Sequence, residues 1–470
     1  MRLKRLAISN CSRIKDIDIE VRDNLVLIGP NGSGKTTVLL CLNMLLEMDA
    51  QRLYGTITED FVRDSSQPCS VEAVFEHLTT RELAVFPDVV DPSSSNELSV
   101  KLDISVADDE VDIVRYIPNC GTRNPLSKAQ RDAFGWTLLQ AQASSQESGQ
   151  GEKSILDEDL LSDLRHQIKE SGGTRLVHEY SDRTRTLFAM TVYDLLNQGV
   201  NILAIDEPEA HLHPASQRSL AKMLKSGTSQ KVLVTHSPTI AGSFRPDEIV
   251  VIRSDGAAVQ PERGFLSGDA GMLARWWIGS QLEPLTAGTV IAVEGASDRI
   301  IVNKVASSLG FDLDRNDVVV IETDGCGDMK VVESIFGNDG FDIPLFVLVD
   351  EDAREKTAKR FGADPDDPAD MAKHGVFISQ NDLEDEYVRA IGPGRLWARM
   401  QAVNAFSKTE FAQCPLGPDG NPTESDLAEF IRAKRRGRKM PSALVAADLI
   451  DSSIAPRVKS AASILRAALA

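Results

Sequence analysis

Short apolar runs recur along the chain, and several of them end in glycine or acidic residues. Leu25 to Ile28 precedes the glycine-rich segment Gly29 to Thr37, and Val38 to Met48 follows with the spacing of an amphipathic helix. Asn201 to Ile205 and Lys231 to Val234 are two further apolar runs of strand length. Such runs are typical of strands buried on both faces, so the pattern predicts a parallel sheet.

Alternation of apolar and polar residues marks a second group of segments. It predicts strands of an edge sheet in Leu3 to Ile8 and Ile14 to Ile19, and further alternating segments in Ser70 to Phe75 and Leu98 to Ile104. Residues 124 to 175 are polar, and the Ser/Gln/Gly-rich stretch 143 to 151 is predicted to be a mobile loop or short linker. No heptad pattern is long enough for a coiled-coil arm.

The second half of the chain alternates strand and helix patterns. Strands are predicted at Val290 to Val293, Val318 to Ile321, Leu345 to Val349 and Val376 to Ile378, with helices at about 297 to 309, 328 to 337 and 353 to 362. This βαβαβ order predicts a second parallel sheet. The predicted boundaries are a first domain at 1–265 with a polar insertion at about 120–175, a linker at 266–287, a second domain at 288–390 and a helical region at 391–470.

Composition narrows the classes of protein that fit. The chain has 470 residues, of which 42% are hydrophobic and 26% charged, and it contains no apolar run of the roughly 18 residues that a membrane span needs. The N-terminus lacks the apolar core of an export signal, and six cysteines are scattered without CxxC spacing, so we expect a cytoplasmic protein without a zinc ribbon. The net charge of −19 argues against broad attraction to polyanions but does not exclude DNA.

The segment from Gly29 to Thr37 has the composition and setting of a phosphate-binding loop. Its glycines let backbone N–H groups face an anion, Lys35 can reach the terminal phosphates, and Thr36 can ligate Mg²⁺. An ordinary glycine turn is the alternative, but the pattern is complete and stands between a strand and a helix. The residues predicted to bind nucleotide are Gly29, Asn31, Gly32, Gly34, Lys35, Thr36, Thr37 and Asp206.

Asp206 and Glu207 follow the apolar run 201 to 205. Hydrolysis of a γ-phosphate needs a metal ion and a positioned base, so we expect Asp206 to hold Mg²⁺ and Glu207 to polarise the attacking water. A lone Asp-Glu pair is more often a helix N-cap, but here it accompanies a phosphate-binding loop. His236 ends the next strand, where ligands of open α/β sheets bind, and is a candidate γ-phosphate sensor.

Together these elements resemble the ATPase head shared by ABC transporters, SMC proteins and RecF-type ATPases. The resemblance implies an ABC-type α/β domain that binds ATP and Mg²⁺, with His236 as the switch histidine, and a homodimer that closes on nucleotide. The LSGGQ-type signature of these heads is absent, and only Ser181-Asp182-Arg183 stands at its place. Gln67 is a candidate for the glutamine switch loop.

Acidic residues end the strands of the second domain. Glu294 and Asp298 follow the first strand, and Asp350 and Asp352 follow the third. The carboxyl ends of parallel strands meet at one edge, so these side chains should lie together and repel one another unless they hold cations. Hard oxygen ligands suit Mg²⁺ or Mn²⁺, and two such ions can hydrolyse a phosphodiester. The alternative is a solvated acidic edge.

Glu-Gly-x-x-Asp followed about 50 residues later by Asp-x-Asp resembles the Toprim domain of topoisomerases, primases and certain nucleases. With the ATPase head before it, Glu384 in an acidic motif after it and a basic run at 432–439, the chain resembles the OLD (overcoming lysogenization defect) family of ATP-dependent nucleases. Without its context, the basic run would be interpreted as a solvated helix face. Its position after the acidic motifs favours contact with phosphate instead. The resemblance implies a catalytic lysine at Lys439, with Lys434 as a rival, and metal ligands or their supports at Glu294, Asp298, Asp350, Asp352 and Glu384.

We therefore predict an α/β enzyme: an ABC-type ATPase domain, a Toprim domain with a Rossmann-like parallel sheet, and a helical C-terminal region. Its predicted activity is ATP-gated cleavage or nicking of DNA with two Mg²⁺ or Mn²⁺ ions, which the resemblance places in bacterial or phage defence. A partner protein or defence component is a further candidate binding partner. The alternative from another class is a non-nucleolytic ATPase clamp in DNA repair. A topoisomerase is disfavoured because nothing in the sequence presents Tyr387 to DNA.

Overall fold

The computed structural model describes residues 1–86, 97–107, 110–118, 125–140, 200–210, 212–323, 329–433 and 437–470. It divides into two compact units, Met1–Leu282 and Glu283–Ala470, and the division falls inside the segment predicted as a linker. Three features singled out from the sequence lie outside the described residues, namely the stretch 143–151, Ser181-Asp182-Arg183 and Lys434.

The first unit contains two sheets. Its strands are β1 (Arg2–Cys11), β2 (Ile14–Glu20), β3 (Leu25–Ile28), β4 (Cys69–Glu76), β5 (Leu98–Ala107), β6 (Glu110–Tyr116), β7 (Trp136–Gln140), β8 (Ile202–Asp206), β9 (Gln230–Val234), β10 (Ile249–Ile252) and β11 (Ala258–Val259). An antiparallel sheet has the order β2-β1-β4-β5-β6, and a second sheet has the order β11-β10-β3-β9-β8-β7 with β10 to β7 parallel. Every residue of β3 and β9 is buried, as expected for inner parallel strands.

Helix α1 joins these sheets, because it contacts strands of both within one hydrophobic core. It begins at Lys35 rather than at the predicted Val38, since Gly34 turns the chain with φ 108° and leaves the first helical N–H groups facing the loop. The helices of this unit are α1 (Lys35–Leu46), α2 (Ala50–Thr56), α3 (Thr80–Leu83), α4 (Lys128–Ala133), α5 (Pro214–Ser226), α6 (Pro238–Ala241) and α7 (Gly268–Ser280).

The second unit is built on a four-stranded parallel sheet of order β13-β12-β14-β15, where β12 is Thr289–Val293, β13 Val318–Glu322, β14 Leu345–Asp350 and β15 Val376–Ser379. Its helices are α8 (Ala296–Ser308), α9 (Met329–Phe336), α10 (Arg354–Phe361), α11 (Pro368–Lys373), α12 (Leu383–Ile391), α13 (Pro393–Ala402), α14 (Lys408–Phe411), α15 (Glu424–Arg432), α16 (Lys439–Leu449) and α17 (Lys459–Ala468). The C-terminal helices share one hydrophobic core with the sheet.

Short 3₁₀ turns lie at Glu59–Phe61, Pro246–Glu248, Glu283–Leu285, Glu351–Ala353 and Ala455–Arg457. Within the described ranges, no helix combines the length and apolar character that crossing a bilayer requires. The predicted fold class, two α/β domains with parallel sheets and a helical C-terminal region, is confirmed.

Candidate active sites

The glycine-rich loop between β3 and α1 curls around the ammonium group of Lys35. Lys35 Nζ donates hydrogen bonds to the carbonyl oxygens of Gly29 (2.9 Å) and Pro30 (2.7 Å). Gly29 and Gly32 have φ values of 152° and 76°. A Cβ atom on Gly29 would also lie 2.1 Å from the carbonyl oxygen of Ile252, so this loop path requires glycine.

A cavity of about 180 Å³ opens at this loop. It is lined by Asn31, Gly32, Gly34, Lys35, Thr36, Thr37, Glu207, His236 and Arg13. All but Arg13 are predicted site residues. Arg13 comes from the turn between β1 and β2, and its Nη1 donates to the carbonyl oxygen of Gly32 at 2.6 Å. No sequence signal could have selected it, because only the tertiary fold brings that turn to the loop.

The second acidic motif meets the loop at the ends of β8 and β9. Thr36 Oγ1 donates to Asp206 Oδ1 at 3.5 Å, and burial raises the pKa of Asp206. His236 Nε2 lies 3.8 Å from Glu207 Oε1, and Glu207 has a φ of 47°, which is uncommon for a residue with a side chain. Burial, together with the charge of Lys35, lowers the pKa of His236 and favours its neutral form. Glu207 and His236, two of the predicted catalytic residues, thus lie beside predicted nucleotide-binding residues, whereas Lys439, the third, belongs to the second unit.

Glu209 is a residue of this site that was not predicted from the sequence. Its Oε2 accepts a hydrogen bond from Thr235 Oγ1 at 2.8 Å, and its Oε1 accepts one from the backbone N–H of His236 at 2.5 Å. Burial raises the pKa of Glu209, and the two hydrogen bonds oppose that rise. The only sequence signal was its place in Asp206-Glu207-Pro208-Glu209.

Four predicted acids and Lys439 interact in the second unit. Glu294 Oε1 accepts the backbone N–H of Asp350 at 3.1 Å, and Asp298 Oδ2 accepts the N–H of Gly295 at 3.0 Å. Glu384, in the first turn of α12, is 1% exposed, and Lys439 Nζ lies 3.1 Å from its Oε1 and 3.2 Å from its Oε2. Only Oε2 receives a well-directed hydrogen bond. We call Glu294, Asp298, Asp350 and Glu384 the acidic cluster.

The members of the acidic cluster influence one another's ionisation. Burial, and then the charges of Glu294, Asp298 and Glu384, raise the pKa of Asp350 to about 8. Burial and the charge of Glu384 raise the pKa of Asp298 to about 7. Lys439 opposes both increases, and although burial lowers its own pKa, the cluster's charges raise it overall. Lys439 alone does not offset the charge of these carboxyl groups, and crowding of like charges favours binding of a further cation.

The metal site is not preformed in the part of the chain that the structure describes, where no three His, Cys, Asp or Glu side chains stand ready to hold an ion. Glu384 is engaged by Lys439, and Glu294 by the N–H of Asp350. Asp352 lies exposed in the turn Glu351–Ala353, apart from these contacts. Crowded, partly buried carboxylates are the donors that hard divalent ions prefer, so the acidic cluster fits such an ion in chemistry.

Two arginines of the basic run contact other residues of the second unit. Arg432 Nη1 donates to Asp382 Oδ2 at 2.9 Å and to Asp385 Oδ2 at 2.7 Å, tying α15 to the first turn of α12. Arg438 stacks on the ring of Phe430 at 3.9 Å and is buried. Lys439 is also paired, but with Glu384 of the acidic cluster, where a phosphate contact would serve the predicted chemistry.

Tyr387 lies on α12, the helix that also carries Glu384. It is 1% exposed, so its hydroxyl cannot attack a phosphodiester without local unfolding. Tyr387 is thus not presented at the surface as the nucleophile of a topoisomerase would be.

Two family models match the chain. Residues 91–242 match the family described as "AAA domain, putative AbiEii toxin, Type IV TA system". Residues 285–352 match the family described as "Overcoming lysogenization defect protein-like, TOPRIM domain". The second match includes Glu294, Asp298 and Asp350 of the acidic cluster.

Curated relatives and solved structures include OLD proteins. The chain is 23% identical over 498 aligned positions to OLD nuclease of Thermus scotoductus, covering 84% of this chain and 92% of the relative. It is 24% identical over 209 positions to endonuclease GajA of Bacillus cereus, covering 43% of this chain and 36% of that protein. The solved C-terminal region of the Burkholderia pseudomallei OLD protein matches 39% of this chain and 99% of its own, at 23% identity and a TM-score of 0.32.

These comparisons confirm the predicted resemblance to OLD-family proteins, in which an ATPase head is fused to a Toprim domain. They also confirm the prediction that the chain is an enzyme that combines an ATPase and a nuclease.

Proposed function

We propose that this fusion of an ATPase head with an OLD-like Toprim domain is a DNA endonuclease or nickase that depends on divalent metal and is regulated by ATP. The matched domains and the nuclease relatives support an ATPase-linked nuclease. The observation that carries the finer proposal is the placement of the acidic cluster beside Lys439 at the end of a parallel sheet.

The acidic cluster would hold two Mg²⁺ or Mn²⁺ ions, with Asp352 as a further ligand. When bound, such ions supply an activated water and stabilise the leaving oxygen of a phosphodiester. Lys439 Nζ, paired with Glu384 at 3.2 Å, would donate instead to a phosphate oxygen and stabilise the charge that develops there. Asp350 would contribute to both ions because it ends an inner strand of the sheet.

In the first unit, Lys35 and the loop N–H groups would hold the phosphates of ATP. Thr36 and Asp206, already in contact at 3.5 Å, would hold Mg²⁺. Glu207 would orient the attacking water, and the neutral His236 beside it would sense the γ-phosphate.

The remaining assignments are also proposals. DNA is the substrate, and two copies of the chain associate through their ATPase heads. A cytoplasmic role in defence against phages accords with the OLD resemblance. A second protein that triggers or assists cleavage is a further candidate partner.

The test is cleavage of supercoiled plasmid by purified protein with Mg²⁺, Mn²⁺, Ca²⁺ or EDTA, each with and without ATP. We expect nicked or linear product with Mn²⁺ at least as readily as with Mg²⁺, and none with Ca²⁺ or EDTA. Asp350→Ala should abolish cleavage and leave ATP hydrolysis largely intact, while Lys35→Ala should abolish ATP hydrolysis.

The proposal fails if Asp350→Ala cuts plasmid at the wild-type rate in Mn²⁺. A wild-type protein that hydrolyses ATP and binds DNA without cutting it would favour the non-nucleolytic clamp. Equal cleavage with and without ATP would remove ATP regulation and leave the nuclease assignment in place.

A further inference from the structure

Glu209 connects the two loops that carry Glu207 and His236. Its carboxylate lies beyond the end of β8 and spans two groups beyond the end of β9, the hydroxyl of Thr235 at 2.8 Å and the backbone N–H of His236 at 2.5 Å. Both contacts are made by one carboxylate, so a displacement of either loop breaks at least one hydrogen bond.

These two contacts belong to a closed hydrogen-bond network. Thr235 Oγ1 also accepts the N–H of Ser237 at 3.0 Å, and Ser237 Oγ donates to Gln217 Oε1 at 2.7 Å. Gln217 Nε2 donates to the carbonyl oxygen of Leu212 at 3.0 Å, in the same segment after β8 that carries Glu209. The network holds Thr235, the backbone N–H of His236 and Ser237, and so fixes the backbone on both sides of His236.

Glu209 does not line the cavity, whereas Glu207 and His236 do. Both of its carboxylate oxygens accept hydrogen bonds from the segment that follows β9. Its carboxylate acts on the backbone that carries His236, whose Nε2 is 3.8 Å from Glu207 Oε1. The unusual φ of 47° at Glu207 makes this pair dependent on outside support, since nothing in the local preference of a glutamate favours that conformation.

We propose that Glu209 is a positioning residue for ATP hydrolysis, which holds the His236 segment at the distance from Glu207 that the reaction requires. This inference rests on the proposed ATPase role of the cavity. Because Glu209 touches backbone and the Thr235 hydroxyl, its loss should lower the rate of hydrolysis without weakening nucleotide binding.

The direct test uses Glu209→Gln, which keeps the shape of the side chain. A glutamine can still accept one N–H through its carbonyl oxygen, but its amide group can only donate, so the Thr235 hydroxyl, which already accepts the N–H of Ser237, loses the acceptor of its own proton. We expect kcat for ATP to fall by about tenfold or more, because small displacements of catalytic groups are costly, while KM stays within about twofold. Glu262→Gln, an exposed glutamate of the same unit, is the matched control and should behave as wild type.

Thr235 provides an independent pair of variants that keep Glu209 itself. Thr235→Val removes the hydroxyl and should reproduce the loss of kcat, whereas Thr235→Ser retains it and should restore most of the rate. Melting temperatures and binding of a fluorescent ATP analogue, measured on every variant, separate this outcome from misfolding. A serine variant as slow as the valine variant would overturn the role of the hydroxyl.

A double-mutant cycle with His236→Ala decides whether Glu209 acts through His236. If it does, Glu209→Gln should slow the His236→Ala protein by less than about twofold. Additive effects of the two changes, or an unchanged kcat in Glu209→Gln, would overturn the inference. If wild-type protein hydrolyses no ATP, the proposed function itself has failed, which is a distinguishable result.

Discussion

Asp350→Asn should make the metal-free protein more stable, and the gain should grow with pH. The side chain of Asp350 ends β14, where burial and the neighbouring carboxylates raise its pKa from an ordinary 3.8 to about 8. Asparagine has nearly the same shape and no charge to bury. The backbone N–H of this residue, which donates to Glu294, is retained in the variant.

The size of the effect follows from the raised pKa. An acid whose pKa is higher in the folded state destabilises the fold as pH rises above its unfolded value, and the destabilisation is complete once pH exceeds the folded pKa. A tenfold change in an acid constant corresponds to about 1.4 kcal/mol, so moving from pH 5.5 to 8.5 should destabilise wild type by about 3 kcal/mol relative to the variant. For a domain of this size, that is roughly 6 to 12 °C in melting temperature.

The assay is thermal unfolding of wild type and Asp350→Asn in EDTA at pH 5.5 and 8.5, repeated with Mn²⁺. At pH 8.5 without metal the variant should melt higher than wild type. Added Mn²⁺ should raise the melting temperature of wild type by occupying the acidic cluster, and should have little effect on the variant, which lacks a central ligand.

Asp352→Asn is the matched control, since Asp352 is exposed two residues further on. Removing its charge should change the metal-free melting temperature little at either pH. If Asp350→Asn changed the melting temperature equally at pH 5.5 and 8.5, the change in stability would not come from the charge of Asp350 among its neighbouring carboxylates. A variant that still gained stability from Mn²⁺ would refute its role as a ligand.

Three further predictions concern other parts of the protein. Lys35→Ala should lose nucleotide binding, whereas Glu207→Gln should bind ATP and hydrolyse it slowly; equal loss of binding in both, by equilibrium titration, would refute these roles. Arg432→Met should lower the free energy of unfolding, measured by urea denaturation, by about 2 to 4 kcal/mol and should reduce cleavage, because it leaves Asp382 and Asp385 without their cation. Arg399→Met is the control: its partner is exposed, so it should lower the free energy of unfolding by less than about 1 kcal/mol. Light scattering should show a dimer with ATP, and a monomer under all conditions would contradict the expected association of the heads.

The fold was predictable because its signals are local. The buried runs of β3, β9 and β14 and the acids that follow the strands can be read without knowing the strand order. Glu294, Asp298 and Asp350 of the acidic cluster were predictable for the same reason, since the carboxyl ends of parallel strands meet at one edge. Glu384 lies on a helix and was expected only from the OLD resemblance, and Asp352, expected with the strand-end acids, lies exposed and apart from their contacts. The sequence does not show which charged side chains pair with each other. Arg432 reads as part of a basic run, yet its partners are Asp382 and Asp385, about 50 residues earlier.

The strand order has a consequence for how the protein is made. The neighbours of β3 are β9 and β10, and both follow it by about 200 residues. A ribosome that adds about 5 to 20 residues per second therefore leaves both edges of this strand unpaired for roughly 10 to 40 s. During that interval the carbonyl of Ile252, against which Gly29 is packed, does not yet exist. The nascent chain should depend on chaperones at this stage, and the residues that line the nucleotide cavity are all present only after translation has passed His236.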